Sequence, residues 1–283
     1  MHRPLRSVIL ALTLCAWGGA AGAHEGVLES PPGTPPPEIA RTSVFTFFGD
    51  RLDPARWVTV EHPGAGKFGP IPELQYYTAA CVTVERGVLH LDARNSRHID
   101  PVDGYDYTYQ SGRVESAQTF QFGRLEIRAK LPVGGGFWPA IWLRTPERAG
   151  PINGQIDILD GFGSHTNGFE SSLTAWSRGR FIARRCVLIE RFDLKNGCTH
   201  IGNPLRYRYN FASAYHTFGI DWAKDHVIWL VDGKPYWTVT SDVPQVPMIL
   251  VMDLAVGGAQ DGAPTRGTKF PGDFEIASVT LTR

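Results

Sequence analysis

Three side chains in the stretch GQIDILDG, residues 154–161, have the types and spacing to do chemistry: Gln155, Asp157 and Asp160. Apolar Ile156, Ile158 and Leu159 interleave with them, as in a strand with one polar face. Strict alternation puts Gln155 and Asp157 on that face and turns Asp160 away. One extra residue at Ile158 or Leu159, a β-bulge, brings Asp160 back into line. Acid-type groups gathered on one face lose solvation and repel one another, which a packed sheet does not need and a catalytic cleft does. A solvated outer face is the competing reading. Tryptophan supplies a second chemistry, because indole faces stack on the apolar faces of sugar rings. Trp138 and Trp142 flank Pro139-Ala140-Ile141 before the polar strand and Trp176 follows it, so all three are expected in a cleft. Trp222 and Trp229, on alternating strands, are expected in the core.

The elements that must position these groups read as strands. The 283 residues, 42% of them hydrophobic, allow one large β domain or two small ones. With 31 Gly, 21 Pro and few helix-period runs, the chain favours many short strands and turns. Runs at 43–48, 81–85, 88–93, 107–116, 123–131, 137–143, 154–161, 170–176, 216–222, 226–231, 235–240, 248–256 and 274–282 fit strands. Asp232-Gly233 joins two of them as a hairpin turn. So many antiparallel strands without amphipathic helices predict an all-β fold of two stacked sheets. Residues 178–200 are polar, charged and poorly periodic, and are expected to form a long loop over one rim.

At the N-terminus, Arg3 and Arg6 precede an apolar run over 8–17 and small residues ending in Ala21-Gly22-Ala23. The pattern predicts a signal peptide over 1–23, cleaved after Ala23, and a secreted or periplasmic protein. Residues 24–40 contain SPPGTPPPE and read as a stiff proline-rich linker, leaving 41–283 as the folded domain. No later run is long enough to span a bilayer. The net charge of +0 and the lack of any charge run give no sign of nucleic acid or an anionic membrane as partner. Beyond the leader three cysteines remain, an odd number. Cys186 and Cys198 close a short polar segment and are expected to pair; Cys81, in an apolar run, is expected as a buried thiol. No spaced Cys/His set for zinc is present.

Longer stretches carry a resemblance. ELQYYT at 73–78, SGRVES at 111–116, FGRLEIRAKLPVGGGFWPAIWL at 122–143, YHTFGIDWAKDHVIWLVDG at 215–233 and DLAVGG at 253–258 are similar to glycoside hydrolase family 16, the laminarinases, lichenases and relatives. The resemblance implies a concanavalin A-like β jelly-roll sandwich of two antiparallel sheets with a concave carbohydrate-binding cleft. Family members carry Glu-x-Asp-x-x-Glu on the central strand, as nucleophile, supporting Asp and acid/base. Here those positions hold Gln155, Asp157 and Asp160. Retaining hydrolysis needs two carboxyls about 5 to 5.5 Å apart. Gln155 cannot form the usual glycosyl ester, and Asp160 is one methylene short of the glycosidic oxygen. Ala175-Trp176 stands where many relatives have His-Trp, and Gly258-Ala259-Gln260 replaces a segment that often brings another aromatic to the cleft. Phe47 and Ala277 align with a frequent calcium site, so no cofactor or metal is expected.

Three functions fit these residues. A monomeric polysaccharide-binding protein would use Trp138, Trp142 and Trp176 as platforms for β-glucan or a related exopolysaccharide, with Gln155, Asp157 and Asp160 as hydroxyl partners. An endo-β-glucanase or transglycosylase of altered chemistry would use Asp160 as acid/base and Asp157 as support, in one version with a 2-acetamido substrate as its own nucleophile. A purely structural module would leave the cleft tryptophans without a purpose.

Overall fold

A computed structural model of the chain describes residues 41–65, 72–146, 154–177, 180–188 and 210–283. The expected signal peptide and linker lie outside these residues. Period-two alternation builds the strands. In Val88–Arg94 the side chains of Leu89, Leu91 and Ala93 are fully buried while their neighbours are half-exposed. In Gly272–Thr282 the buried set runs Phe274, Ile276, Val279, Leu281, and the change of phase coincides with a bulge against Gly123–Lys130.

The strands form two large sheets. The smaller runs Arg180–Leu188, Phe169–Ser177, Gly154–Gly161, Phe137–Arg144, Ile249–Val256, Arg113–Ser116, Trp57–Thr59. The larger runs Lys234–Val239, Val227–Val231, His216–Trp222, Gly123–Lys130, Gly272–Thr282, Val88–Arg94, Tyr109–Ser111, Gln75–Tyr77, His62–Pro63, with Thr42–Thr46 and Val82–Glu85 paired off this path. Pairing is antiparallel except between Gln75–Tyr77 and Tyr109–Ser111. Between the sheets lies one core, to which Ile141, Leu143, Ile156, Leu159, Met252 and Leu254 contribute from one side and Leu125, Ile127, Phe218, Ile220, Phe274 and Ile276 from the other. Trp222 and Trp229 are buried there as expected, with Trp229 stacked on Trp237 at 4.1 Å. Residues Ala40–Arg283 make up a single compact unit.

Two expectations need correction. Residues 107–116 are not one strand: the chain leaves the larger sheet after Ser111 and enters the smaller at Arg113. The step occurs at Gly112, where a Cβ would stand 2.4 Å from the Cys81 carbonyl oxygen. Within the expected loop 178–200, Arg180–Leu188 is a strand paired along its length with Phe169–Ser177. Among the described residues it is an edge strand, and its arginines, which suit an edge that must not pair with other chains, obscure the alternation. Arg184 reaches Asp242 at 2.9 Å.

The hairpin turn is as expected, with Asp232 and Gly233 both at positive φ (49° and 73°), the backbone of a type I′ turn. Cys186 is disulfide-bonded, while its expected partner Cys198 lies outside the described residues. Cys81 is a free, buried thiol that burial pushes up to about 11. Among the described residues, no helix is long and apolar enough to cross a membrane.

Candidate functional site

The polar strand Gly154–Gly161 carries the bulge that the spacing predicts. Pairing with Phe169–Ser177 shifts register between Asp157 and Asp160. Against Phe137–Arg144, Trp142 stands opposite Asp157 and Ala140 opposite Asp160, so Ile158 is the unpaired residue. Gln155, Asp157 and Asp160 therefore share one face of the smaller sheet, and Ile156, Ile158 and Leu159 point into the core. A bulge frees backbone carbonyls that must find donors elsewhere. Here the donors come from the core side. Trp229 Nε1 donates to the Asp157 carbonyl at 2.9 Å and Ser171 Oγ to the Ile158 carbonyl at 2.9 Å.

On the open face the polar groups are tied to one another. Gln155 Nε2 donates to Asp157 Oδ1 at 2.7 Å, and Ser172 Oγ donates to Asp157 Oδ2. Trp138 Nε1 donates to Asp160 Oδ1 at 3.0 Å. One row further on, Trp142 Nε1 donates to Asp253 Oδ1 at 2.8 Å and Tyr77 donates its hydroxyl proton to Asp253 Oδ2 at 2.8 Å. Beyond Asp253, Arg113 pairs with Glu115 at 2.6 Å, and Glu115 also holds Arg144 at 2.9 Å. On the other flank, Glu170 lies opposite Asp160 and is ion-paired with Arg185. Gln260 Nε2 donates to the Asp160 carbonyl at 3.2 Å from the short helix Gly258–Asp261.

Burial dominates the protonation of this face. It raises Asp157 to about 6, against the donations from Ser172 and Gln155. It raises Asp160 well above the usual carboxylate range, and the charge of Asp157 adds to the effect while the Trp138 indole opposes it. Glu170 is raised by burial despite Arg185. Both carboxyls of this face are therefore raised, and Asp157 gives up its proton only above the ordinary carboxylate range. Two carboxyls with raised proton affinity, with two indoles nearby, can donate and accept hydrogen bonds with ring hydroxyls and can hand over a proton.

Sequence spacing brings together Gln155, Asp157, Asp160, Trp138 and Trp142, and all five share this face. Trp176 lies on Phe169–Ser177 with its backbone opposite Phe181, and its side chain is outside the described residues. Ala175 is buried, paired across from Gly154. The sequence reading missed Asp253, Tyr77, Arg113, Glu170 and Ser172. Asp253 had a signal, being the single acid in the otherwise apolar run ILVMDLAV. The others become visible only through cross-strand register. Among the described residues no cluster of three or more His, Cys, Asp or Glu side chains could hold a metal ion. A cavity of about 370 Å³ at the far edge of the sandwich, lined by Phe45, Trp57, Phe120, Leu125 and Leu281, shares no residue with this face.

The family described as Glycosyl hydrolases family 16 matches residues 75–269. Glucan endo-1,3-beta-glucosidase A1 of Niallia circulans is 29% identical over 88% of this chain and 39% of its own length. Beta-1,3-glucan-binding protein of Penaeus monodon is 34% identical over 45% of this chain and 34% of its own length. The chain thus spans well under half of either relative. Among solved structures, the catalytic domain of an endo-1,3-beta-glucanase (laminarinase) from Thermotoga petrophila superposes with a TM-score of 0.69 at 30% identity, covering 85% of this chain and 96% of that one. The sandwich of two antiparallel sheets is accordingly the β jelly roll of that family.

Proposed function

The chain belongs to glycosyl hydrolase family 16, and from that premise we propose that it is an exported, monomeric β-glucan-binding protein in which the family's retaining hydrolysis is lost. Gln155 carries the reading. By resemblance it stands in the nucleophile's position, and its amide nitrogen is committed to Asp157 at 2.7 Å. An amide oxygen has no negative charge with which to attack an anomeric carbon, so the second carboxyl that retaining hydrolysis requires is missing. What remains suits recognition: Trp138 and Trp142 as stacking surfaces, with Asp157 and Asp160 as partners for ring hydroxyls. The glucan-binding relative of Penaeus monodon supports a binder on this scaffold. The N-terminal basic, apolar and small-residue pattern and the disulfide-bonded Cys186 support export.

A second reading keeps catalysis by altered chemistry, with Asp160 as acid/base and Asp157 in support. One observation favours it: burial and the charge of Asp157 raise Asp160 well above the usual carboxylate range, toward the protonated state a general acid needs. One assay separates the two. The protein is presented with laminarin, lichenan and xyloglucan, and retention and released reducing ends are scored on the same samples. The binder retains at least one β-glucan and releases no reducing ends above background. Cleavage at an ordinary enzymatic rate overturns it in favour of the second reading, and failure to retain any of the three removes glucan recognition.

A further inference from the structure

At the edge of the sandwich remote from the polar strand, the two sheets part around the cavity of about 370 Å³. Register decides what faces it. Ser43 and Phe45 of Thr42–Thr46 stand opposite Leu281 and Val279 of Gly272–Thr282, and these alternate side chains of both strands line the gap. From the smaller sheet come Trp57, Ser116 and Leu250. Trp57, Phe120, Leu125, Leu250 and Leu281 are buried and form the bottom, while Ser43, Gln118, Arg56 and Arg283 are exposed and form the mouth. The Ser116 hydroxyl is already committed, donating to the Gln118 carbonyl at 2.8 Å and accepting from the Leu250 amide at 3.0 Å. A folding core closes such a gap, because unfilled space forfeits dispersion contacts; here small Ser43 and Ala55 leave it open.

The mouth is cationic. Arg56 lies over the Phe45 ring at 5.0 Å. The stem of Arg283 runs beside Leu281: a Cβ placed on Gly123 would lie 3.2 Å from Arg283 Cγ and 3.3 Å from Leu281 Cδ1. Arg41 exchanges both backbone hydrogen bonds with Arg283, at 2.7 and 3.0 Å, which adds a third arginine to this end of the ladder. No Asp or Glu lines the cavity. Asp53, outside the lining, pairs with Arg56 at 3.3 Å and gives one oxygen to the Ala55 amide at 2.9 Å. Both partners of that pair are about half exposed, so water screens it and Arg56 remains able to take a second anion. An apolar bottom under a mouth of arginines without acids fits a single alkyl chain that ends in an anion.

We propose that this cavity binds a free fatty carboxylate of medium chain length, with the alkyl chain between the sheets and the carboxylate at Arg56 and Arg283. The site shares no residue with the polar face and does not depend on the β-glucan reading. At roughly 30 Å³ for each methylene, comparable to the share of a water molecule in the liquid, the space holds one chain of about ten to twelve carbons. The two long chains of a phospholipid do not fit. The head group stays at the exposed mouth, so no charge has to be buried.

The test titrates octanoate and decanoate, each below its micelle concentration, into the purified protein by calorimetry, with decyltrimethylammonium as the same chain under a cationic head. Two further buried methylenes should tighten binding about tenfold from octanoate to decanoate. The cationic ligand should bind about fivefold more weakly than decanoate, and Arg56→Gln combined with Arg283→Gln should remove that difference. Ser43→Trp, which plugs the mouth, should abolish binding of both. All three positions are exposed, so folding is checked by an unchanged melting temperature of the unliganded variants; a plug that fails to fold leaves the arginine pair to decide. No binding of decanoate, equal affinity for the two chain lengths, or a head-group preference that is absent or survives the arginine pair overturns the site. Retention on phosphatidylglycerol vesicles without binding of monomeric decanoate also overturns it, in favour of a membrane surface.

Discussion

The open face of the smaller sheet and the outer face of the larger one both present carboxyl groups from strand interiors, and Asp157 and Asp160 on the first are held in the opposite way to Glu275 on the second. On the outer face Glu275 sits across from Lys130, which reaches it at 2.6 Å, and Tyr215 donates a further hydrogen bond. Burial works to raise Glu275, but these partners hold it below the usual carboxylate range. Its neighbour Asp273 has a histidine, His90, as partner instead of a lysine, and burial raises it. On the open face Asp157 and Asp160 receive only neutral donors, Gln155, Ser172 and Trp138, and both are raised. A permanent cation spends a carboxylate on the fold, whereas a neutral donor orients the carboxyl and leaves its charge and its proton available to a ligand.

The largest test of this contrast places two glutamates on the open face. Gln155→Glu with Asp160→Glu should raise reducing-end release from laminarin by about a hundredfold over the parent background, roughly 3 kcal/mol of transition-state stabilisation. Either substitution alone should give much less, because two carboxyls acting as a unit do not add. A double variant that binds laminarin and stays silent would place the block outside these two positions.

Next in size is the platform. Trp142→Ala, which also removes the donor to Asp253, should weaken laminarin binding about fivefold to tenfold with a melting temperature near the parent's. An unchanged affinity would take the indole out of the site.

The pH dependence of stability should differ in sign between the two faces. Asp157 is raised on folding, so its favourable contribution is fully present below the unfolded value of about 3.9 and is lost as pH rises through about 6. Asp157→Asn should therefore gain about 3 kcal/mol relative to the parent between pH 3 and pH 8, by urea denaturation across that range. Glu275 is depressed on folding, so its contribution is present above its unfolded value and is lost as pH falls through its lower folded one. Lys130→Ala should cost about 0.5 kcal/mol at pH 7 and almost nothing at pH 3, the smallest effect of the set. The same sign of pH dependence in both variants would dissolve the distinction between the faces.

Local pattern made much of this legible. Period-two alternation located the strands that form the sandwich, and the misfit of Asp160 to that period was enough to place the bulge. Asp232-Gly233 named its own turn. Arg180–Leu188 was hidden because an edge strand is protected by the same charges that make a loop look like a loop. The break at Gly112 was hidden because its cause is the backbone of Cys81 and Leu91, remote in sequence. In the site, Glu170 and Ser172 could not be placed from spacing, since their distance from Asp160 and Asp157 is set by the register of two strands joined by a connection of several residues. The place of Trp142 beside the polar strand was legible, but its bond to Asp253 was not.

The bulge carbonyls of Asp157 and Ile158 are answered by Trp229 and Ser171, from beneath the sheet. The curve that presents residues 155, 157 and 160 to the cleft is thus maintained without help from those side chains themselves. Exchanges of those side chains should therefore leave the bulge itself in place, so that the geometry of the face and its chemistry can be varied separately.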